Sequence, residues 1–191
     1  MSLRPLVVTG PIGSGKSTVS KLIESFGALR VDLDQLSREV LETREGVNFV
    51  EDNWPEAVDG SEVNRAALAT IVFADLRQLR RLEEFIHPLV MSKFQALADE
   101  HSTLVVEVSV PFSISIRDGF VVLVDVPHPL RFQRLLERGM NPIDIEARTT
   151  AQPARADWLR IADSVLSNKS SEVDLSQETE ALWAWWVETR L

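Results

Sequence analysis

The chain has 191 residues, 45% of them hydrophobic and 26% charged, the make-up of a folded globular protein rather than a disordered or fibrous one. Its 29 acidic residues outnumber 20 basic ones, giving a formal charge of −9, so nucleic acids and anionic membrane surfaces are repelled at long range and are not expected as partners. There is no cysteine, which excludes disulfides, thiolate metal sites and a cysteine nucleophile, and which fits the reducing cytoplasm where the protein is expected to reside.

Arg4 and a short apolar run lead straight into a glycine-rich loop, so no signal peptide is expected, and no apolar run approaches the ~20 residues of a membrane span. Leu6-Val7-Val8 reads as a buried parallel strand. From Ser17 to Phe26, Val19, Leu22, Ile23 and Phe26 recur at helical spacing, and Gly27 ends the helix. Leu29-Arg30-Val31 reads as a second strand closed by Asp32-Leu33-Asp34, followed by a helix from Gln35 to Leu41. Residues 44–63 are polar, hold Pro55 and Gly60, and read as irregular. Asn64 is placed to cap a helix through Phe73, and a long helix follows from Asp75 to Ala98, bent at Pro88.

Leu104-Val105-Val106 and Val121-Val122-Leu123-Val124 are two further buried strands. Arg131 to Arg148 is helical and arginine-rich, interrupted at Gly139 and Pro142. Val165-Leu166 is a last short strand before Asn168, and Leu175 to Glu188 closes the chain as an apolar-faced helix. Strands alternating with helices imply a parallel sheet covered on both faces.

Gly10-Pro11-Ile12-Gly13-Ser14-Gly15-Lys16-Ser17-Thr18 fits the phosphate-loop pattern G-x-x-x-x-G-K-[ST], with an apolar strand before it and an amphipathic helix after it. Gly13, Ser14 and Gly15 let successive N–H groups turn inward as an anion nest, to which the helix N-terminus adds its partial positive charge. In that pattern Lys16 reaches the β- and γ-phosphates, the Ser17 hydroxyl ligates Mg²⁺, and Thr18 contributes to the α-phosphate. The motif fixes nucleoside triphosphate binding and leaves open whether the chain is a kinase, a GTPase or an ATPase.

Asp32 and Asp34 stand where the second strand should end, at the sheet edge that faces the phosphate loop. Alternation along an extended chain puts residues i and i+2 on one side, so the two carboxylates could share a site. One would then hold a metal-bound water and the other accept a proton from an attacking hydroxyl, or one of them simply caps the next helix.

These motifs, in this order and spacing, resemble the dephospho-coenzyme A kinase family over nearly the whole chain. The likeness is carried by Thr9 to Val19, by Asp32-Leu33-Asp34 with Arg38 four residues beyond, and by Arg65 in Asn64-Arg65-Ala66-Ala67-Leu68. It continues through Phe85-Ile86-His87-Pro88-Leu89-Val90, Arg134-x-x-x-Arg138, Gln152-x-x-Arg155, and Ala162-Asp163-x-Val165-x-x-Asn168.

The resemblance implies a three-layer α/β/α P-loop kinase fold with about five parallel strands, and one kinase domain over 1–191. Its core would be 4–42 and 103–191, its helical acceptor-side insertion 60–101 and its lid 131–155. It implies transfer of a phosphoryl group from ATP, with Mg²⁺, to the ribose 3′-hydroxyl of dephospho-coenzyme A. Asp34 becomes the general base and Asp32 its neighbour at the metal and the acceptor. Lys16 and Arg138 act on the transferring group. Arg155 and Asn168 join the nucleotide contacts, while Arg38, Arg65 and His87 lie on the acceptor side. A monomer or weak homo-oligomer is expected.

Four positions depart from the family's pattern: Pro11 replaces a glycine, Ser115 a glutamate, Trp158 a basic residue, and Lys169-Ser170 follows Asn168 where a glycine is usual. They leave open another small alcohol as acceptor, such as a nucleoside or sugar, or a nucleotide-binding regulatory role. Asn168-Lys169-Ser170-Ser171 lacks the aspartate of the guanine motif N-K-x-D, which counts against a GTP switch. Arg131, Arg134 and Arg138 at helical spacing fit either a lid or a solvated face, and His87 either a substrate contact or a structural histidine beside Pro88. Trp183, Trp185 and Trp186 read as packing residues of the last helix, unless they are exposed.

Overall fold

The computed structural model describes residues 4–109, 119–169 and 172–189. The departure at Pro111 to Ser115, Ser170 and the first three residues lie outside them. In chain order the elements are β1 (Leu6–Thr9), α1 (Lys16–Ser25), β2 (Leu29–Asp32), α2 (Leu33–Glu42) and α3 (Arg44–Asn53). A 3-10 turn (Pro55–Ala57) precedes β3 (Val58–Asp59), β4 (Glu62–Val63), α4 (Arg65–Ala74) and α5 (Leu76–Glu100). Next come β5 (Leu104–Val108), β6 (Phe120–Asp125), α6 (His128–Glu137), α7 (Pro142–Thr150), α8 (Arg155–Ile161), β7 (Ser164–Ser167) and α9 (Glu172–Thr189).

The chain divides into two compact units, Met1–Asp32 with His101–Leu191, and Leu33–Glu100. The first holds a five-stranded sheet in the order β2-β5-β1-β6-β7, every pairing parallel. Its central strands β1, β5 and β6 are mostly apolar runs, as expected where helices cover both faces of a parallel sheet. β1 and β5 are buried at every residue. One face packs Leu6, Val8, Val105, Val122 and Val124 with Val19 and Ile23 of α1 and Leu175 and Trp186 of α9. Trp186 is 3% exposed, and Trp183 stacks on it with ring centroids 5.3 Å apart. The packing reading therefore holds for these two. Trp185 is half exposed, with one face against Phe120 at 5.1 Å.

The second unit is helical around the β3-β4 hairpin. Asn64 caps α4 as expected, its side chain accepting from the Ala67 amide at 3.1 Å. One expectation is corrected. Residues 44–53 form a helix rather than irregular chain: Thr43 caps it by accepting from the Gly46 amide, and Val50 is buried while Phe49 stacks on Phe85 at 3.9 Å. Capping and an aromatic contact remote in sequence outweigh the segment's polar average. α5 holds Pro88 inside it, with Leu82, Ile86, Val90 and Phe94 forming one buried stripe at four-residue spacing.

Candidate active site

The loop from Gly10 to Ser17 leaves the C-terminal end of β1 and opens α1. Its helix begins at Gly15, whose φ of +97° is a left-handed conformation that L side chains rarely adopt. A Cβ there would also strike the side-chain amide of Asn168. That amide donates to the Ser14 carbonyl at 2.8 Å, so Asn168 braces the loop from behind. Asn168 also accepts from Arg134 Nη2, at 3.0 Å on its backbone oxygen and 3.4 Å on Oδ1. Pro11 contributes no N–H, but its carbonyl accepts from the Ser14 amide at 3.1 Å. The Lys16 ammonium lies back over the same loop, donating to the Gly10 carbonyl at 2.9 Å and the Pro11 carbonyl at 3.3 Å.

β5 adds a residue that the sequence reading passed over. Glu107 is 5% exposed and accepts three hydrogen bonds: from Ser17 Oγ at 2.5 Å, Ser20 Oγ at 2.8 Å and Arg30 Nη2 at 2.6 Å. Ser17 and Ser20 are three apart on α1 and so share the face turned to β5. Asp32 is the register partner of Glu107 across β2 and β5, which places the two carboxylates on neighbouring strands at one end of the sheet. Burial alone would push the Glu107 carboxyl up; the three donors and the guanidinium charge outweigh it and hold the group below its ordinary range. The available signal was an acid inside an otherwise apolar strand, Leu104-Val105-Val106-Glu107-Val108.

The helices after β6 are tied to the phosphate loop through Ile12. The Ile12 amide donates to Gln152 Oε1 at 2.8 Å, and its carbonyl accepts from Arg131 Nη1 at 3.2 Å. Arg131 lies beneath the loop and burial lowers its pKa, while Asp125 opposes that shift; the stripe at 131, 134 and 138 is thus not a uniformly solvated face. Arg155 forms a fork with Asp125, Nη2 to Oδ2 at 2.7 Å and Nε to both oxygens at 3.1 Å. Trp158 is buried beside this pair and donates its indole N–H to the Pro153 carbonyl. Trp158, Arg131, Arg155 and Pro11 line one pocket of about 170 Å³. Arg138 is exposed and shares a cleft of about 430 Å³ with Ser17, Thr18 and Lys21.

In the second unit, Arg38 and Arg65 line one cleft of about 700 Å³ together with Asn64, Asp59 and Glu62. Two cations remote in sequence therefore meet in one cleft of the second unit. His87 is half-buried on α5 and is not among the residues lining that cleft. Asp34 is exposed in the first turn of α2. The alternation argument for Asp32 and Asp34 is corrected: β2 ends at Asp32 and α2 starts at Leu33, so no extended backbone relates the two carboxylates.

β1 lies between β5 and β6, so its phosphate loop opens where the chain's crossovers diverge to the two sides of the sheet. Sheet order and loop together make this a P-loop kinase. A solved structure from Thermus thermophilus superposes on it with a TM-score of 0.84 at 33% identity, covering 95% of this chain and 98% of the other. Dephospho-CoA kinases of Cutibacterium acnes and Thermobifida fusca are 36% and 33% identical to it over 93% and 92% of this chain and 82% and 92% of their own lengths. The family model for dephospho-CoA kinase, CoaE, matches residues 5–174, and the chain belongs to that family.

Proposed function

We propose that this chain transfers the γ-phosphoryl group of ATP to the ribose 3′-hydroxyl of dephospho-coenzyme A, giving coenzyme A and ADP. The observation that carries the reading is the joint one of a phosphate loop backed by Glu107 and a second cleft holding Arg38 and Arg65. Phosphoryl transfer asks a protein for positioning and charge neutralisation more than for covalent chemistry. The loop amides and the N-terminus of α1 supply positive potential for the β- and γ-phosphates. Lys16 exchanges the Gly10 and Pro11 carbonyls for phosphate oxygens when nucleotide enters.

Mg²⁺ is part of this proposal, and the residues fit it: a serine hydroxyl at the helix start, a carboxylate touching that hydroxyl, and a second carboxylate across the strand pair are hard oxygen donors. Ser17 would hold the ion directly, with Asp32 and Glu107 acting on its waters. When bound, the ion neutralises charge on the bridging phosphates. Asp34 accepts the proton of the acceptor hydroxyl. Arg138 steadies the transferring group, and Arg155 orders the nucleotide side through Asp125.

Arg38 and Arg65 suit the phosphates of a nucleotide-like acceptor, as planar guanidinium forks pair with phosphate oxygens. His87 serves the acceptor side from α5. The same reading carries a cytoplasmic monomer or weak homo-oligomer without nucleic-acid or membrane partners. It is supported by the charge of −9.

The test is incubation with Mg-ATP and dephospho-coenzyme A, followed by mass spectrometry for coenzyme A, with adenosine and a simple sugar as competing acceptors. Product from dephospho-coenzyme A alone is expected. Phosphorylation of adenosine or the sugar in preference, or of no alcohol at all, would overturn the assignment.

A further inference from the structure

Arg30 stands two residues before Asp32 on β2, and its guanidinium lies against both acids of the site. Nη2 is 2.6 Å from Glu107 and 3.6 Å from Asp32, while Nε donates to Ser20 Oγ at 2.9 Å. The other oxygen of Glu107 receives Ser17 Oγ. One fixed cation therefore occupies the cluster of hard oxygens that would otherwise suit a divalent ion. Arginine keeps its charge at any pH a protein survives. The charge is thus a permanent feature of the site.

We propose that Arg30 is a built-in counter-ion that denies Ser17, Asp32 and Glu107 to a divalent cation arriving alone, so that the metal enters only with its nucleotide. The inference deepens the divalent-ion reading above and rests on it. A bare dication must approach two carboxylates whose charge is already partly offset by a guanidinium held at hydrogen-bond distance. A triphosphate brings its own negative oxygens and restores the attraction. The hydrogen bond to Ser20 fixes the position of Arg30: Ser20 Oγ accepts from Nε and itself donates to Glu107, and moving the guanidinium breaks its contacts to Ser20, Glu107 and Asp32 at once.

The experiment is titration with Mn²⁺ without nucleotide, following the free-ion signal by electron paramagnetic resonance. Wild type is compared with Arg30→Met, Arg30→Gln, Arg30→Lys and the double variant Arg30→Met/Glu107→Gln. Wild type and Arg30→Lys are expected to hold Mn²⁺ weakly. The neutral variants should gain one site at least tenfold tighter, and the double variant should lose it. Arg30→Gln makes the same comparison if Arg30→Met does not fold.

Tight Mn²⁺ binding by nucleotide-free wild type would overturn the proposal without any variant. So would a gained site in Arg30→Lys, or no gain in a folded neutral variant. A parallel titration with ATP separates the two readings. Wild type that fails to retain Mn²⁺ with ATP present refutes the divalent-ion reading itself, whatever the nucleotide-free result.

Discussion

Ser17 donates its hydroxyl proton to Glu107 at 2.5 Å, so the residue that the phosphate-loop motif assigns to metal is held from the start by a buried carboxylate on another strand. This bond orients the serine lone pairs before any ligand arrives, and it makes Glu107 part of both stability and turnover.

Glu107→Gln removes a charge that three donors serve, including a guanidinium. Glutamine keeps one acceptor oxygen; hydrogen bonds to charged groups contribute about 1.5–3 kcal/mol each, so losing the equivalent of one should lower thermal unfolding by roughly 3–12 °C near neutral pH. The folded carboxyl is held below its ordinary value, so its contribution is complete above the unfolded value of about 4.3 and is lost as pH falls through the lower folded value. Melts of wild type and variant should differ by a constant amount from pH 7 to about pH 5 and converge below about pH 4.3. A gap that persists undiminished at pH 3 would refute the assigned ionisation.

Gly15→Ala places a side chain at φ +97° and drives its Cβ into the Asn168 amide. The backbone penalty alone is about 1–2 kcal/mol. Asn168→Ala removes the amide that braces Ser14 and should raise KM for ATP roughly tenfold, by the loss of about 1.4 kcal/mol of loop ordering. Because both changes act on one contact, the double variant should cost less than the sum of the singles. Strict additivity in chemical denaturation would show that Gly15 and Asn168 do not interact.

Gln152→Leu frees the Ile12 amide from its only side-chain acceptor among the described residues. KM for ATP should rise, while KM for the acceptor stays within about twofold. Gln152→Glu keeps an oxygen for that amide and should recover most of the loss. Equal kinetics for the leucine and glutamate variants would show that the Ile12 contact does not order the loop.

Lys16→Ala and Asp34→Asn should fail in different ways. Loss of the lysine charge should lower kcat about 10²–10³-fold and weaken ATP binding as well. Asp34→Asn keeps the size and removes the base, so kcat should fall about 10²–10⁴-fold with ATP affinity nearly intact. Isothermal titration with a non-hydrolysable ATP analogue, beside steady-state rates, separates the two. Weakened ATP binding with unchanged turnover in Asp34→Asn would place that carboxylate around the metal instead.

The three central strands, β1, β5 and β6, were legible because each is a short, mostly apolar run of largely branched residues, the pattern of a strand buried on both faces. The phosphate loop was legible because its glycines and lysine are adjacent in sequence. α3 was not: its polar average concealed a cap at Thr43 and a ring contact from Phe49 to Phe85, 36 residues further along the chain. The carboxylate that holds Ser17 was missed for a related reason. Sequence pointed to Asp32, whereas the hydroxyl of Ser17 bonds to Glu107, 90 positions away.

The sequence by itself determined the phosphate-gripping loop as a motif, since its glycines, its lysine and the helix N-terminus that follows lie within a few residues of one another. It also carried the motif order that places the chain in its family. Only the tertiary structure decided what stands behind that grip: Glu107 and Arg30 under Ser17, Asn168 behind Gly15, Arg131 and Gln152 on Ile12. Each of those contacts depends on strand register or on a helix returning to the sheet. A carboxylate's neighbours are set by which strands lie side by side, and that order is a property of the folded sheet rather than of any stretch of chain.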